Sequence, residues 1–157
     1  MSRIKELKKE IHRILAESIQ EEDRRADAAA HLHSVALAAA MLARMRGQDP
    51  ELAAMAGLLH DMYAYRNGTY EDHAHRGAEY ARGILEELGI TNDAETGVIC
   101  SAIYHHDSKA ETGTPMDEIL KDADVLHHAL GDPAKEVKPH ELERFRKLSA
   151  EFGFQPE

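Results

Sequence analysis

One cysteine, Cys100, is all the thiol chemistry that the 157-residue sequence offers. A single thiol forms neither an internal disulfide framework nor a Cys-rich zinc site, so a reducing cytosol is the expected setting. Long apolar runs are missing too. The longest, Val35 to Ala43, spans nine residues, whereas a helix crossing a bilayer needs about 20. The opening Met1–Ser2–Arg3–Ile4–Lys5 leads into charge rather than the apolar segment of a signal peptide. Membrane and secreted classes are not expected. Basic charge is scarce as well: 19 Lys+Arg face 29 Asp+Glu, a formal net charge of −10. Nucleic-acid polymers are bound through basic faces, and this balance argues against one as a partner. Strand alternation, internal repeats and linker-like stretches are also absent.

What remains is helical. Ile4, Leu7, Ile11, Ile14, Leu15 and Ile19 recur at three- and four-residue spacing and predict a first amphipathic helix. Glu21 to Arg25 reads as a charged turn, and an alanine-rich helix follows from about Ala26 to Arg46, stopped by Gly47. Asp49–Pro50–Glu51 supplies a cap, a first-turn proline and an acid at the positive helix end, and starts a third helix that ends near Met62. Tyr63 to Asp72 reads as a loop with its turn at Asn67–Gly68. Further helices are expected over His73–Leu88, from Thr91 or Asn92 through Ile103, from Pro115 to Leu130, and from Pro139 to Phe152. The fold class is all-α: one domain over residues 1–157, of about six to seven helices. Amphipathic flanking helices are expected at 3–20 and 139–152. Met41, Met45, Met55 and Met62 read as core filling.

The excess is in histidine, which occurs 11 times and mostly in pairs: His31/His33, His73/His75, His105/His106 and His127/His128. Several of these fall where helical periodicity expects apolar side chains. His60–Asp61 closes the run Gly57–Leu58–Leu59, His33 leads Ala36, Leu37 and Ala40, His106 ends a helix, and Asp124 sits between Ala123 and Val125. A buried imidazole and a buried carboxylate both need partners, and a divalent cation satisfies the two together.

In chain order these residues read H, HD, H, H, D, as His33, His60–Asp61, His73, His106 and Asp124. That order resembles the HD-domain superfamily of metal-dependent phosphohydrolases. The local contexts carry the resemblance: His33–Ser34–Val35–Ala36, Ala56–Gly57–Leu58–Leu59–His60–Asp61, His73–Ala74–His75–Arg76–Gly77–Ala78, Ala102–Ile103–Tyr104–His105–His106 and Lys121–Asp122–Ala123–Asp124. His31, His75 and His105 lie one or two residues from their counterparts and are alternative ligands, as Asp122 is to Asp124.

The resemblance, which runs from about His31 to Leu130, implies a helical metal-binding core at about 31–130 that holds one or two divalent transition metals through His33, His60, Asp61, His73, His106 and Asp124, with Asp61 bridging. His60 and Asp61 are then the catalytic pair as well as ligands. All-nitrogen-and-oxygen donation suits Fe, Mn, Co or Ni better than a structural zinc. A metal-acidified water is the nucleophile, and a small anionic phosphorylated substrate, such as a nucleotide, is the expected partner. Lys109 and Arg76 are candidate phosphate contacts, as is Arg66 on the tyrosine-rich loop, which reads as a lid. Two rival readings share the same ligands: a di-iron oxygenase of a polyol or organophosphonate, and a non-catalytic metal- or nucleotide-binding regulator. The amphipathic terminal helices leave open a homodimer.

Overall fold

Capping chemistry decides where the helices begin. Asp49 Oδ1 accepts from the Glu51 and Leu52 amides, and Asn92 and Thr114 form reciprocal capping boxes with Glu95 and Asp117. In the computed structural model, which describes residues 1–155, the helices are α1 (Arg3–Ser18), α2 (Glu22–Met45), α3 (Pro50–Leu59), α4 (Met62–Asn67), α5 (His73–Leu88), α6 (Asp93–His105), α7 (Pro115–Leu130) and α8 (Leu142–Phe152). A 3-10 turn, Pro139–Glu141, precedes α8, and no strand occurs among the described residues. The all-α expectation holds, with one helix more than expected. The extra one is α4, which occupies much of the stretch read as a loop. Asn67–Gly68 is a helix stop rather than a loop turn: Gly68 adopts φ +69°, the left-handed conformation that ends a helix.

α2 lies at the centre, against α3 on one side and α7 on the other; α5 and α6 form a hairpin that reaches both through α6. Among the described residues, α2 alone has the length and apolar composition to cross a membrane. Here its inner face, with Leu32, Val35, Ala39, Leu42 and Ala43, is buried in the core. The stripes of the two terminal helices face inward as well. Leu7, Ile11, Ile14 and Leu15 of α1 and Phe145 and Leu148 of α8 are almost wholly buried, each contributing about 2 kcal/mol of hydrophobic stabilisation. Met55 and Met62 fill the core as expected, but Met41 and Met45 are half-exposed on the outer face of α2.

Two features position the site. At Gly57 a Cβ would stand 2.6 Å from Ala36 Cα and 2.7 Å from Ala36 N, so α3 and α2 touch backbone to backbone there. Immediately afterwards the helix breaks. Asp61, at φ −109° and ψ 6°, separates α3 from α4 and turns His60 and Asp61 into the interior.

Candidate metal centre

Four imidazoles and two carboxylates converge at one end of the bundle. His31 comes from the inner face of α2, and His60 and Asp61 from the break after α3. His73 opens α5, His106 caps α6, and Asp124 sits in α7. All six are buried. Nε2 of His31 lies 3.0 Å from Nε2 of His60. These two nitrogens stand 3.2 and 3.4 Å from Asp61 Oδ2, and each is 3.4 Å from Asp124 Oδ1. On the other oxygen of the same carboxylate, Nε2 of His73 and of His106 lie 3.5 and 3.4 Å from Asp61 Oδ1.

The second nitrogen of each ring fixes what Nε2 can do. Nδ1 donates to a backbone carbonyl in His60 (Gly57, 2.7 Å), His73 (Tyr70, 2.9 Å) and His106 (Ile103, 2.6 Å). Carbonyls only accept, so a proton sits on Nδ1, and whenever the ring is neutral it is Nε2 that turns a lone pair toward the carboxylates. His31 places its Nδ1 2.7 Å from Nδ1 of His127. Burial, with His31 and His128 beside it, pushes the His127 pKa down to about 4, which leaves that ring a neutral acceptor.

Lone pairs therefore face carboxylates. Asp124 Oδ1 is the plainest case: it is buried without a hydrogen-bond donor, although three imidazole nitrogens surround it at 3.4 Å. Acceptors set against acceptors in a buried site require a cation between them. A proton on His60 serves when nothing else does. Burial disfavours that charge, yet Asp61 and Asp124 outweigh it and push the His60 pKa up to about 10. For His106 burial dominates and the pKa falls. Burial also opposes the two carboxylate charges, but His60, His106 and His31 around Asp61, and Lys109 and His60 around Asp124, hold both well below the usual range. Donor atoms within 4.8 Å of one another form three triads: His31–His60–Asp61, Asp61–His73–His106 and His31–Asp124–His128. This nitrogen-and-oxygen set fits a divalent metal, which would displace the His60 proton on binding.

The family model of the HD domain matches residues 28–129. The chain belongs to the HD domain family. Its curated relatives include Ribonuclease Y of Opitutus terrae, 41% identical over 83 residues, of Chlorobium luteolum, 32% over 96, and of Staphylococcus epidermidis, 31% over 118. Those stretches cover 51, 61 and 75% of this chain but only 14, 17 and 21% of the relatives, so this HD domain spans about a fifth of their length or less. Among solved structures, a predicted HD superfamily hydrolase from an uncultured Thermotogales bacterium matches with a TM-score of 0.65 and 28% identity, over 92% of this chain and 88% of that one.

One expected ligand of the HD pattern lies elsewhere. His33 points away from the cluster, its Nε2 2.7 Å from Nε2 of His12 on α1, and His31 takes the place expected for it. Two residues along a helix is about 200° of rotation, so the two rings cannot share a face; Leu37, on the His33 side, is exposed. Three further side chains close to the pattern in sequence stay outside the cluster. His75 pairs with Asp72 and stacks on Tyr104, His105 pairs with Asp117, and Asp122 is bound by Arg46 and Arg144.

Of the expected phosphate contacts, Lys109 lines the cavity over the cluster, which measures about 300 Å³. Its Nζ is 2.8 Å from Asp124 Oδ2 and 2.7 Å from the His106 carbonyl. Arg66 and Arg76 do not line that cavity. Arg66 faces an adjoining groove from the outer side of α4, and Arg76 meets the Tyr63 hydroxyl and Asp72. The tyrosines expected on a lid divide: Tyr65 and Tyr70 line the cavity, while Tyr63 packs on Tyr80. Lys138, His140, His128 and Glu141 also line it and were not anticipated. His128 belongs to a paired-histidine signal in the sequence, whereas nothing local marks Glu141.

Proposed function

We propose that this HD domain hydrolyses a nucleotide or another small phosphoester at a two-metal centre. The observation that carries the reading is Asp61, a single carboxylate with a different imidazole pair on each oxygen. On this reading His31, His60, Asp61 Oδ2 and Asp124 hold one ion, and Asp61 Oδ1, His73 and His106 the other. The donors favour Fe, Mn, Co or Ni. Ions bound there supply an acidified water as nucleophile and polarise a phosphoryl oxygen.

The chain's own residues do the rest. Lys109 ties the end of α6 to Asp124 and fixes a positive charge at the cavity wall. Lys138 and His140 line the same cavity, where an anionic group would meet them. Burial first, and the nearby Asp61 charge second, raise the phenol pKa of Tyr65 and Tyr70, so both remain neutral donors. A cavity of about 300 Å³ is at the small end of ligand sites, and with a net charge of −10 it favours a small substrate over a polymer. The relatives are ribonucleases by name, and cleavage of a phosphoester is the chemistry this reading shares with them.

Protein loaded with Mn²⁺ is expected to hydrolyse a panel of nucleotides and dinucleoside polyphosphates, read as released phosphate for the former and as nucleotide products for the latter, faster than it cleaves an oligoribonucleotide. His60→Ala and Asp61→Ala are expected to lose that activity with the helical circular-dichroism signal intact. Unchanged turnover in both variants would sink the reading. Oxygen uptake by the iron-loaded protein without phosphate release would replace it with the di-iron oxygenase.

A further inference from the structure

We propose that His128, outside the six-residue HD pattern, is a further metal ligand on the Asp124 side of this centre, held in position by Glu141. The inference rests on the metal-centre reading above.

His128 lies one helical turn beyond Asp124 on α7, so both side chains leave the same face. Its Nε2 is 3.4 Å from Asp124 Oδ1, the buried oxygen that has no donor. The ring stacks on His31, with centroids 5.6 Å apart and an interplanar angle of 8°. Donor atoms of His31, Asp124 and His128 thus lie within 4.8 Å of one another.

The far side of the ring settles its role. Nδ1 sits 3.1 and 3.0 Å from the two Glu141 oxygens. Glu141 is only 2% exposed, delivered by the 3-10 turn before α8. A carboxylate only accepts, so Nδ1 carries a proton and Nε2 is the ring atom left to face the Asp124 oxygen. This is the same hydrogen-bond arrangement as in His60, His73 and His106, with a carboxylate standing where those rings use a carbonyl. Metal-bound imidazoles characteristically donate their other N–H to such a carboxylate or carbonyl.

The test is Co²⁺ titrated into the metal-free full chain, followed by calorimetry and visible absorption. His128→Ala is expected to weaken binding by about 100-fold and alter the Co²⁺ absorption band, and Glu141→Gln, which keeps the volume and one acceptor, to weaken it by about 10-fold. His12→Ala removes half of the exposed His12–His33 pair and is expected to change neither. His128 is 31% exposed, so its loss should leave the fold intact by circular dichroism. If the unmodified protein binds Co²⁺ and His128→Ala binds it with equal affinity and an unchanged spectrum, the inference falls while the metal centre stands; a loss of turnover alone would then make His128 a substrate contact. If the unmodified protein takes up no Co²⁺, the metal-centre reading falls and the inference with it.

Discussion

The His31 nitrogen reaches both carboxylates, at 3.2 Å from Asp61 and 3.4 Å from Asp124. His31→Ala is therefore expected to lose about one metal per chain, and His33→Ala none, by elemental analysis of protein purified anaerobically. Equal metal in the two variants would contradict the assignment. The pair also marks how far individual site residues can be read from sequence. His60, Asp61, His73, His106 and Asp124 stand in apolar helical contexts or at helix ends, and the fold brings them together. The choice between His31 and His33 depends on the register of α2. Its alanines lie on the inner and outer faces alike, so composition gives no contrast to set the register. Glu141 was hidden for a different reason: within Pro139–Phe152 it reads as one more surface acid, and only the 3-10 turn buries it against His128.

At the scale of helices, the approach of α2 to α3 is the contact on which the site depends. Gly57→Ala would press a methyl group into the Ala36 backbone. Neither helix can yield by rotating a side chain, so a loss of about 1–3 kcal/mol is expected, read as a lower denaturant midpoint at unchanged slope. His60 follows three residues later, so metal content should fall too. Gly77→Ala, whose nearest contact would be 3.4 Å away, is the control and should cost far less. Helix boundaries were legible where a capping residue or a first-turn proline marks them, as at Asp49–Pro50, Asn92 and Pro115. α4 gives no such signal, because its six residues are too few for a periodic stripe, and Tyr63, Tyr65 and Arg66 resemble a lid when no period is seen. Val98 of α6 and Leu130 of α7, apolar in sequence, are exposed at the edges of their stripes, where a shift of a few tens of degrees changes the side.

For the whole molecule, the buried charges predict how stability follows pH. Asp61 and Asp124 are held below the ordinary 3.8, so their contribution is present above about pH 4 and is lost as pH falls through their folded values. Glu118 and Glu141, lowered by Lys121 and His128 against the cost of burial, act in the same direction. His60 has the opposite sign. Raised from 6.5 to about 10, it stabilises the metal-free protein fully below pH 6.5, and the contribution disappears as pH rises through about 10. His127, His106 and His33, lowered chiefly by burial, lose a proton on folding in acid and so add stability as pH rises toward 6.5; urea midpoints of the metal-free chain should therefore climb from about pH 4 and be highest near pH 6.5. Metal replaces the His60 proton, so the alkaline decline should vanish in the loaded protein. Midpoints that stay level from pH 6 to 10 without metal would refute the coupling.

Support for the imidazoles is divided in kind. Those of His60, His73 and His106 lean on the carbonyls of Gly57, Tyr70 and Ile103, three residues back in each case, and a peptide carbonyl survives any substitution. Those of His31 and His128 lean on the side chains of His127 and Glu141, each open to loss by a single codon change. A lineage drifting without selection for activity would therefore lose the Asp124 side first. The half built on Asp61, His73 and His106 would persist longest, as an inheritance the backbone itself preserves.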